Sequence, residues 1–259
     1  MNNISKTMYI PLCGKALVSK KGIILTDKKA EEIWEAQRIK LKGKSKSKWL
    51  AYYMAMRSKV FDNWVSENAL KDKNAVVLHL GCGLDSRVER LNLTAKWYDV
   101  DFECVINERK KFYTENEKYK MIASDISNVE FLDKIESVES AIVIMEGVSM
   151  YIGNEKLLVL FQSLKSKFSK LSILVDCYTP FAVKMSKIKN PVKEVGVNKV
   201  YGVEKATDLQ KAGIRFIKER EITPQNLIDE LLGLEKFIFK RVYAGKIAKK
   251  LYKLYEYEG

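Results

Sequence analysis

Between residues 79 and 125 the sequence gathers residue types that can hold a nucleoside. In HLGCGLDSRVERL (79–91) an apolar run breaks at Gly81 and Gly83 and continues into charge. A strand that turns on Gly-x-Gly lets a ligand approach bare backbone, whose N–H groups then point at it. A dinucleotide fingerprint needs a third glycine for tight packing around a pyrophosphate, and Ser86 stands in that place. About twenty residues past Gly81, Asp101 closes the next apolar run, where a carboxylate accepts hydrogen bonds from ribose hydroxyls. Asp125, in SDIS, follows the third run and is placed to meet an adenine amino group. The pattern asks for an adenosine but not for a diphosphate. S-adenosylmethionine fits it: its sulfonium is favoured near carboxylate or carbonyl oxygens, and its carboxylate tail needs a cation.

Those residues need a scaffold that brings the ends of separate runs together, and strand–helix alternation supplies one. AVVLHL (75–80), KWYDVD (96–101), YKMIAS (119–124), SAIVIME (140–146) and LSILVDC (171–177) read as buried strands. SRVERL, ECVINERKKFYTENEK and EKLLVLFQSLKSKF read as intervening helices, the last capped by Asn154 and lined by Leu157, Leu158, Phe161, Leu164 and Phe168. IRFIKERE is a sixth strand and LYKLYEYE (251–258) a closing seventh. The expected fold is α/β, a doubly wound, mostly parallel, Rossmann-like sheet with ligands at the carboxyl ends of the strands. Those ends are Gly81–Asp85, Asp101, Asp125, Glu146 and Asp176. Carboxylates are costly to bury, so a row of them is expected where a polar ligand sits.

Residues 1–70 are expected to form a helical cap on a core of 71–259, the two making one compact unit. One helix falls in 28–42 and a stronger one in KWLAYYMAMRSKVFDNWVSENAL, where Trp49, Tyr52, Tyr53, Met56, Val60 and Trp64 share a face. Packing is the plain account of that stripe, and Arg57 flanks it. Residues 178–202, with Pro180, Pro191, Gly196 and Gly202, read as an irregular segment on the substrate side. VEKATDLQKAG reads as a helix ending at Gly213, and Pro224 opens further helix.

LGCGLDSRVERL (80–91), YDVDF (98–102) followed by INERKKF (106–112), and EGVSMYI (146–152) carry a likeness that spans nearly the whole chain. YIPLCGKALVS, TDKKAEEI and YMAMRSKVFDNWV (53–65) add to it. On these motifs the sequence resembles the leucine carboxyl methyltransferase family, especially its bacterial polyketide O-methyltransferases of the tetracenomycin type. The resemblance implies a class I methyltransferase with S-adenosylmethionine as donor, S-adenosylhomocysteine as product and no metal. It implies Gly81 and Gly83 under the methionine portion, and Asp101 on the ribose with Asp99 in reserve. Asp125 and Ile126 fall to the adenine, Glu146 to the methionine end and Arg57 to the cofactor carboxylate. Glu103 departs from the proline usual in the family, and Lys15 stands where relatives often carry arginine; Lys15 receives no role.

Composition narrows the function further. The 259 residues hold 46 Lys and Arg against 33 Asp and Glu, a formal charge of +13, with lysines spread along the whole chain. Local concentration occurs only at KLKGKSKSKW and GKIAKKLYK, without the interleaved aromatics and arginines of a base-stacking surface, so nucleic acid is not the expected partner. No apolar run is long enough for a membrane span, and the N-terminus lacks a signal-peptide pattern, so the expected location is cytoplasmic. Cys13, Cys82, Cys104 and Cys177 are scattered and His79 is the one histidine, which argues against zinc. His79 lies in an apolar run and is read as structural. No catalytic base is assigned; Glu146, Asp176, Tyr151 and Tyr178 are the candidates, the two tyrosines facing the acceptor. That scarcity favours an acceptor already ionised, a carboxylate or acidic hydroxyl of a small polyketide-like molecule. The alternatives are methylation of a protein C-terminal carboxylate, and an RNA-directed methyltransferase or RNA-binding protein.

Overall fold

The computed structural model describes residues 5–37, 39, 41, 43–188 and 199–259. Seven strands form one sheet: β1 Val76–Leu80, β2 Trp97–Asp101, β3 Tyr119–Ala123, β4 Ser140–Met145, β5 Lys170–Tyr178, β6 Arg215–Arg220 and β7 Tyr252–Glu258. Their order is β3-β2-β1-β4-β5-β7-β6. The first five run parallel, and β7 is antiparallel to both its neighbours. The chain leaves β1 toward β2 on one side, while β4 lies on the other. A crevice therefore opens at the carboxyl ends between β1 and β4, the ligand position of a doubly wound sheet.

Alternate residues of each strand enter different cores. Val76, Leu78 and Leu80 join Val143, Val175, Phe161 and Leu164 on one face. Val77, Trp97, Ile142 and Leu174 join the N-terminal helices on the other. Burial of each such side chain contributes about 1.5–3 kcal/mol before chain entropy is set against it. The N-terminal layer comprises α1 Tyr9–Lys21, α2 Lys28–Ala36 and α3 Lys48–Lys71. Of the expected stripe of α3, Tyr52, Met56, Val60 and Trp64 are buried and Trp49 and Tyr53 half-buried, and a second face carrying Arg57, Ser58, Phe61 and Asp62 is buried too. That second face is polar and turns toward the crevice.

Several local expectations are corrected. Helix α1 was not expected; Pro11 falls in its first turn, where a missing N–H is harmless, and Gly22 closes it in the left-handed region at φ 67°. Helix α2 begins where Asp27 accepts the Ala30 N–H at 2.9 Å and stops at Ala36, short of residue 42, because Gln37 turns extended. Residues 38, 40 and 42 lie outside the described residues. The segment 178–202 is not irregular throughout: β5 runs through Tyr178, and α7 spans Pro180–Ile188. Pro180 is pre-set for a first helical turn, and the Thr179 hydroxyl accepts the Ala182 N–H at 3.2 Å. The rest of that expectation, 189–198, lies outside the described residues.

The other elements follow the core. Short α4 Arg87–Leu91 and α5 Glu103–Arg109 flank β2, and α6 Asn154–Lys167 crosses from β4 to β5. Asn154 does not cap α6 but is its first residue, and its amide donates to the Gly202 carbonyl at 3.0 Å. The expected helix before Gly213 is a tighter 3-10 helix, Ala206–Ala212, with the Asp208 carboxylate folded back on the Lys205 N–H. Beyond Pro224 lie α8 Gln225–Asp229 and α9 Gly233–Ile238.

Candidate active site

The glycine turn after β1 is shaped by close approach. Gly81 has φ +73°, and a Cβ there would stand 2.6 Å from the Val148 side chain. Gly83 has φ +54° and donates its N–H to Asp101 Oδ2 at 2.8 Å, while Asp101 Oδ1 accepts the Phe102 N–H at 2.8 Å. Asp101 thus pins the turn from the tip of β2 and still borders the crevice. Burial pushes its carboxyl up to about 6, against the opposing effect of the two N–H donors. Gly81→Ala is expected to lose about 1–2 kcal/mol to left-handed strain and to weaken cofactor binding by about tenfold as Val148 shifts. Gly213, at φ +81° with open space around it, is the control. Gly213→Ala should lower the melting temperature comparably and leave calorimetric cofactor affinity unchanged.

Below the turn, charged side chains interlock out of solvent. Arg57 donates from Nε to Glu146 at 3.1 Å and from Nη1 to Asp176 at 2.8 Å. Arg87, fully buried, donates to Asp62 at 2.7 Å, to Ser58 Oγ at 3.0 Å and to Glu146. Arg90 joins Asp62 to Asp27, and Lys15 meets Asp85 at 2.6 Å. Ser86, in the place of a third glycine, donates to Asp27 and ties the N-terminal layer to the turn. These cations hold Asp62, Asp85 and Glu146 below the usual carboxylate range although burial alone would raise them. Asp176 goes the other way: burial pushes it up to about 6 despite Arg57 and the Gly147 N–H at 2.7 Å. Gly147 is needed here, since a Cβ on it would lie 3.0 Å from Arg57 Nη2.

Asp99 is corrected as a reserve ribose ligand. It shares the strand face of Asp101 but does not reach the chamber wall: it is fully buried deeper in the sheet, held by Arg109, the Tyr119 hydroxyl and the Trp97 Nε1–H. His79 is buried within β1 at the floor of the crevice. Its Nδ1 lies 3.3 Å from Asp99 without hydrogen-bond geometry, its Nε2 is 3.4 Å from Arg87, and burial lowers its pKa.

Two chambers open from the crevice and share Gly81, Asp101, Phe102, Val148 and Tyr151 as their common wall. The outer one, about 650 Å³, is bordered by Asp125 and Ile126. The inner one, about 340 Å³, reaches Lys15, Arg57, Gly83, Asp85 and Glu146 at one end. At its other end stand Tyr53, Tyr151, Tyr178 and Tyr252, with Tyr178 edge-on to Tyr252 at 4.5 Å. Burial raises all four phenols above their ordinary pKa. The structure therefore brings together Arg57, Gly81, Gly83, Asp101, Asp125, Ile126, Glu146, Tyr151 and Tyr178 around one cleft. It adds Lys15, Tyr53 and Tyr252. A lysine inside the apolar run LCGKALV was the available signal for the first of these.

The model of the leucine carboxyl methyltransferase family matches residues 11–165. The chain belongs to that family. As a leucine carboxyl methyltransferase family member it is an S-adenosylmethionine-dependent methyltransferase, and its sheet is of the class I methyltransferase type. It is 25% identical over 252 residues to the tetracenomycin polyketide synthesis O-methyltransferase of Streptomyces glaucescens, covering 92% of this chain and 90% of that one. Solved structures share the fold of this family member at low identity. A DUF574 family protein of Streptomyces avermitilis has a TM-score of 0.60 at 8% identity, covering 88% of this chain and 89% of that one. Magnesium protoporphyrin IX methyltransferase of Synechocystis PCC 6803, solved with bound S-adenosylhomocysteine, has a TM-score of 0.53 at 11% identity, covering 89% and 92%. Among the described residues no helix is long and apolar enough to cross a membrane.

Proposed function

We propose that this chain is an O-methyltransferase acting on the carboxylate or acidic hydroxyl of a small, flat, apolar molecule of polyketide type. The residues present fit the donor. Gly81, where a Cβ would meet Val148, lies in the wall shared by a nucleoside-sized chamber and one reached by Lys15 and Arg57. In this reading Asp125 and Ile126 hold the adenine, Asp101 the ribose, Gly81 and Gly83 the methionine backbone, and Lys15 and Arg57 its carboxylate. The network supports a cation as well. Lys15, Arg57, Arg87 and Arg90 are four cations against the five carboxylates of Asp27, Asp62, Asp85, Glu146 and Asp176. One negative charge is left to balance a sulfonium. Bound S-adenosylmethionine supplies an electrophilic methyl carbon; the chain's own task is to hold an acceptor oxygen in line with it and keep water out.

The observation that carries the acceptor class is the missing base. Among the described residues lining the inner chamber, His79 is engaged by buried charge and the tyrosines are pushed further from ionisation. Glu146 is paired with Arg57 and Arg87 and held low, and both oxygens of Asp101 accept backbone N–H groups of the turn. Asp176 stands behind Arg57 rather than on the wall. An acceptor that arrives as an anion needs none of them. With methyl-labelled donor and a series of aromatic acids and phenols, turnover at fixed pH is expected to fall by about tenfold per unit of acceptor pKa above the assay pH. A rate independent of acceptor pKa, with a titration belonging to the enzyme, would overturn the assignment.

A further inference from the structure

Five of the exposed large apolar side chains of the described residues lie in one stretch beside the mouth of the inner chamber, whereas exposed Leu70 and Val159 stand singly on other helices. Leu232, Leu234, Phe237, Val242 and Ile247 are between 57% and 79% exposed. Helix α9 runs directly into a π turn, Phe239–Tyr243, closed by the Ala244 N–H on the Phe239 carbonyl at 3.0 Å. Residues five apart lie one turn apart in such winding, so Phe237 and Val242 align, with Leu234 one α turn earlier. The opposite side is packed: Phe239 is fully buried, and Tyr243 stacks on both Phe239 and Trp49. This helix is apolar on both sides, one covered and one bare.

Cations surround the bare side. Lys240, Arg241, Lys246 and Lys250 are exposed, and among the described residues no carboxylate comes within ion-pair distance of them. Lys236 and Lys249, by contrast, are paired with Asp229 and Glu221. Across the mouth, α7 adds the exposed Phe181 and Met185, and Met185 lines the chamber together with Tyr243, Ala248 and Leu251.

We propose that this surface rests on an anionic membrane. Leu234, Phe237, Val242 and Ile247 would enter the boundary between headgroups and acyl chains, with the lysines and Arg241 on lipid phosphates. The chamber mouth then faces the bilayer, and an apolar acceptor enters from it; that last clause rests on the acceptor class proposed above, the docking itself does not. A second copy of the chain fits less well. A two-fold contact would set the four unpaired cations against themselves on a chain already carrying +13. An acidic protein would answer the charge, but protein interfaces are depleted in lysine, which supplies three of the four cations here.

Flotation of the full-length protein with phosphatidylcholine vesicles, with and without about one-third phosphatidylglycerol, tests the docking without donor or acceptor. Binding is expected only to the anionic vesicles. It should weaken by about tenfold or more in Leu234→Ser/Phe237→Ser and in Lys240→Glu/Arg241→Glu/Lys246→Glu. Both variants should keep the wild-type melting curve and calorimetric cofactor affinity, since none of these residues lines the cleft. No preference for anionic vesicles, or undiminished binding by both variants, overturns the proposal. So does a dimer in light scattering that the variants abolish, or charge-dependent binding of an acidic protein with vesicle binding absent.

Discussion

Arg57→Ala is expected to lower the melting temperature by roughly 10 °C and to abolish measurable cofactor binding. The first effect follows from what the substitution leaves behind. Glu146 and Asp176 each take a donor from Arg57, and both carboxylates are almost wholly removed from water. Deleting one partner of a buried pair strands the other, at a cost of about 3–5 kcal/mol. For a chain of this size each kcal/mol moves the midpoint by about 2–4 °C. Arg57→Lys keeps the charge but not the fork that reaches both carboxylates, so an intermediate loss is expected. The second effect is separable from the first. In Arg57→Met/Asp176→Asn the carboxylate of Asp176 is gone and Glu146 keeps its ion pair with Arg87, so no carboxylate is stranded and much of the lost stability should return. Cofactor binding should not, because Lys15, already paired with Asp85, would face the cofactor carboxylate without Arg57. A melting temperature for Arg57→Ala within about 2 °C of wild type would show that the pair is not stabilised as its geometry indicates.

The contrast between Asp101 and Arg57 marks what the sequence could carry. Asp101, Gly81, Asp125 and Glu146 sit at strand ends, and the topology of a parallel sheet brings all strand ends to one edge. Their convergence was therefore legible from apolar runs and turn residues alone. The buried charge network was not. Asp27 meets Arg90 and Asp62 meets Arg87 across long stretches of chain, and a charged residue in an amphipathic helix reads as a solvated face until its neighbour is known. Helix α3 shows the effect most directly: its aromatic stripe was visible, and its polar second face was buried just as fully. Helix α1 escaped for a related reason, since Lys15 and Ser19 are buried along with Leu12 and Ala16, and no clean apolar stripe remains. Only at α7 was the local signal overlooked rather than absent, because Thr179-Pro180 is a helix start.

Cofactor affinity is expected to rise with pH through about 6 and then level off, and Asp101 is the group responsible. Its ionised form is the one that accepts hydrogen bonds from a diol, so a proton on it competes with binding. With the carboxyl pushed up to about 6, that proton leaves well above the ordinary aspartate range. Below pH 6 the dissociation constant should grow by up to about tenfold per unit. Asp101→Asn should flatten the profile and, by losing hydrogen bonds to a charged acceptor, weaken binding at pH 7.5 by about 1.5–3 kcal/mol. Any dependence that survives in Asp101→Asn belongs to Asp176, which shares the raised value. The same two groups act oppositely on folding. A carboxyl whose folded pKa is raised disfavours the folded state once ionised, so these two take stability away as pH rises from about 4 to about 6. Asp62, Asp85, Asp99 and Glu146 are held low, and their contribution is lost as pH falls below about 4. As far as these groups decide it, the cofactor-free protein should accordingly melt highest at about pH 4. Adding S-adenosylmethionine should move that optimum toward neutral pH, because the donor selects the ionised form of Asp101. An optimum that stays in place with saturating donor would mean that Asp101 is not a cofactor ligand.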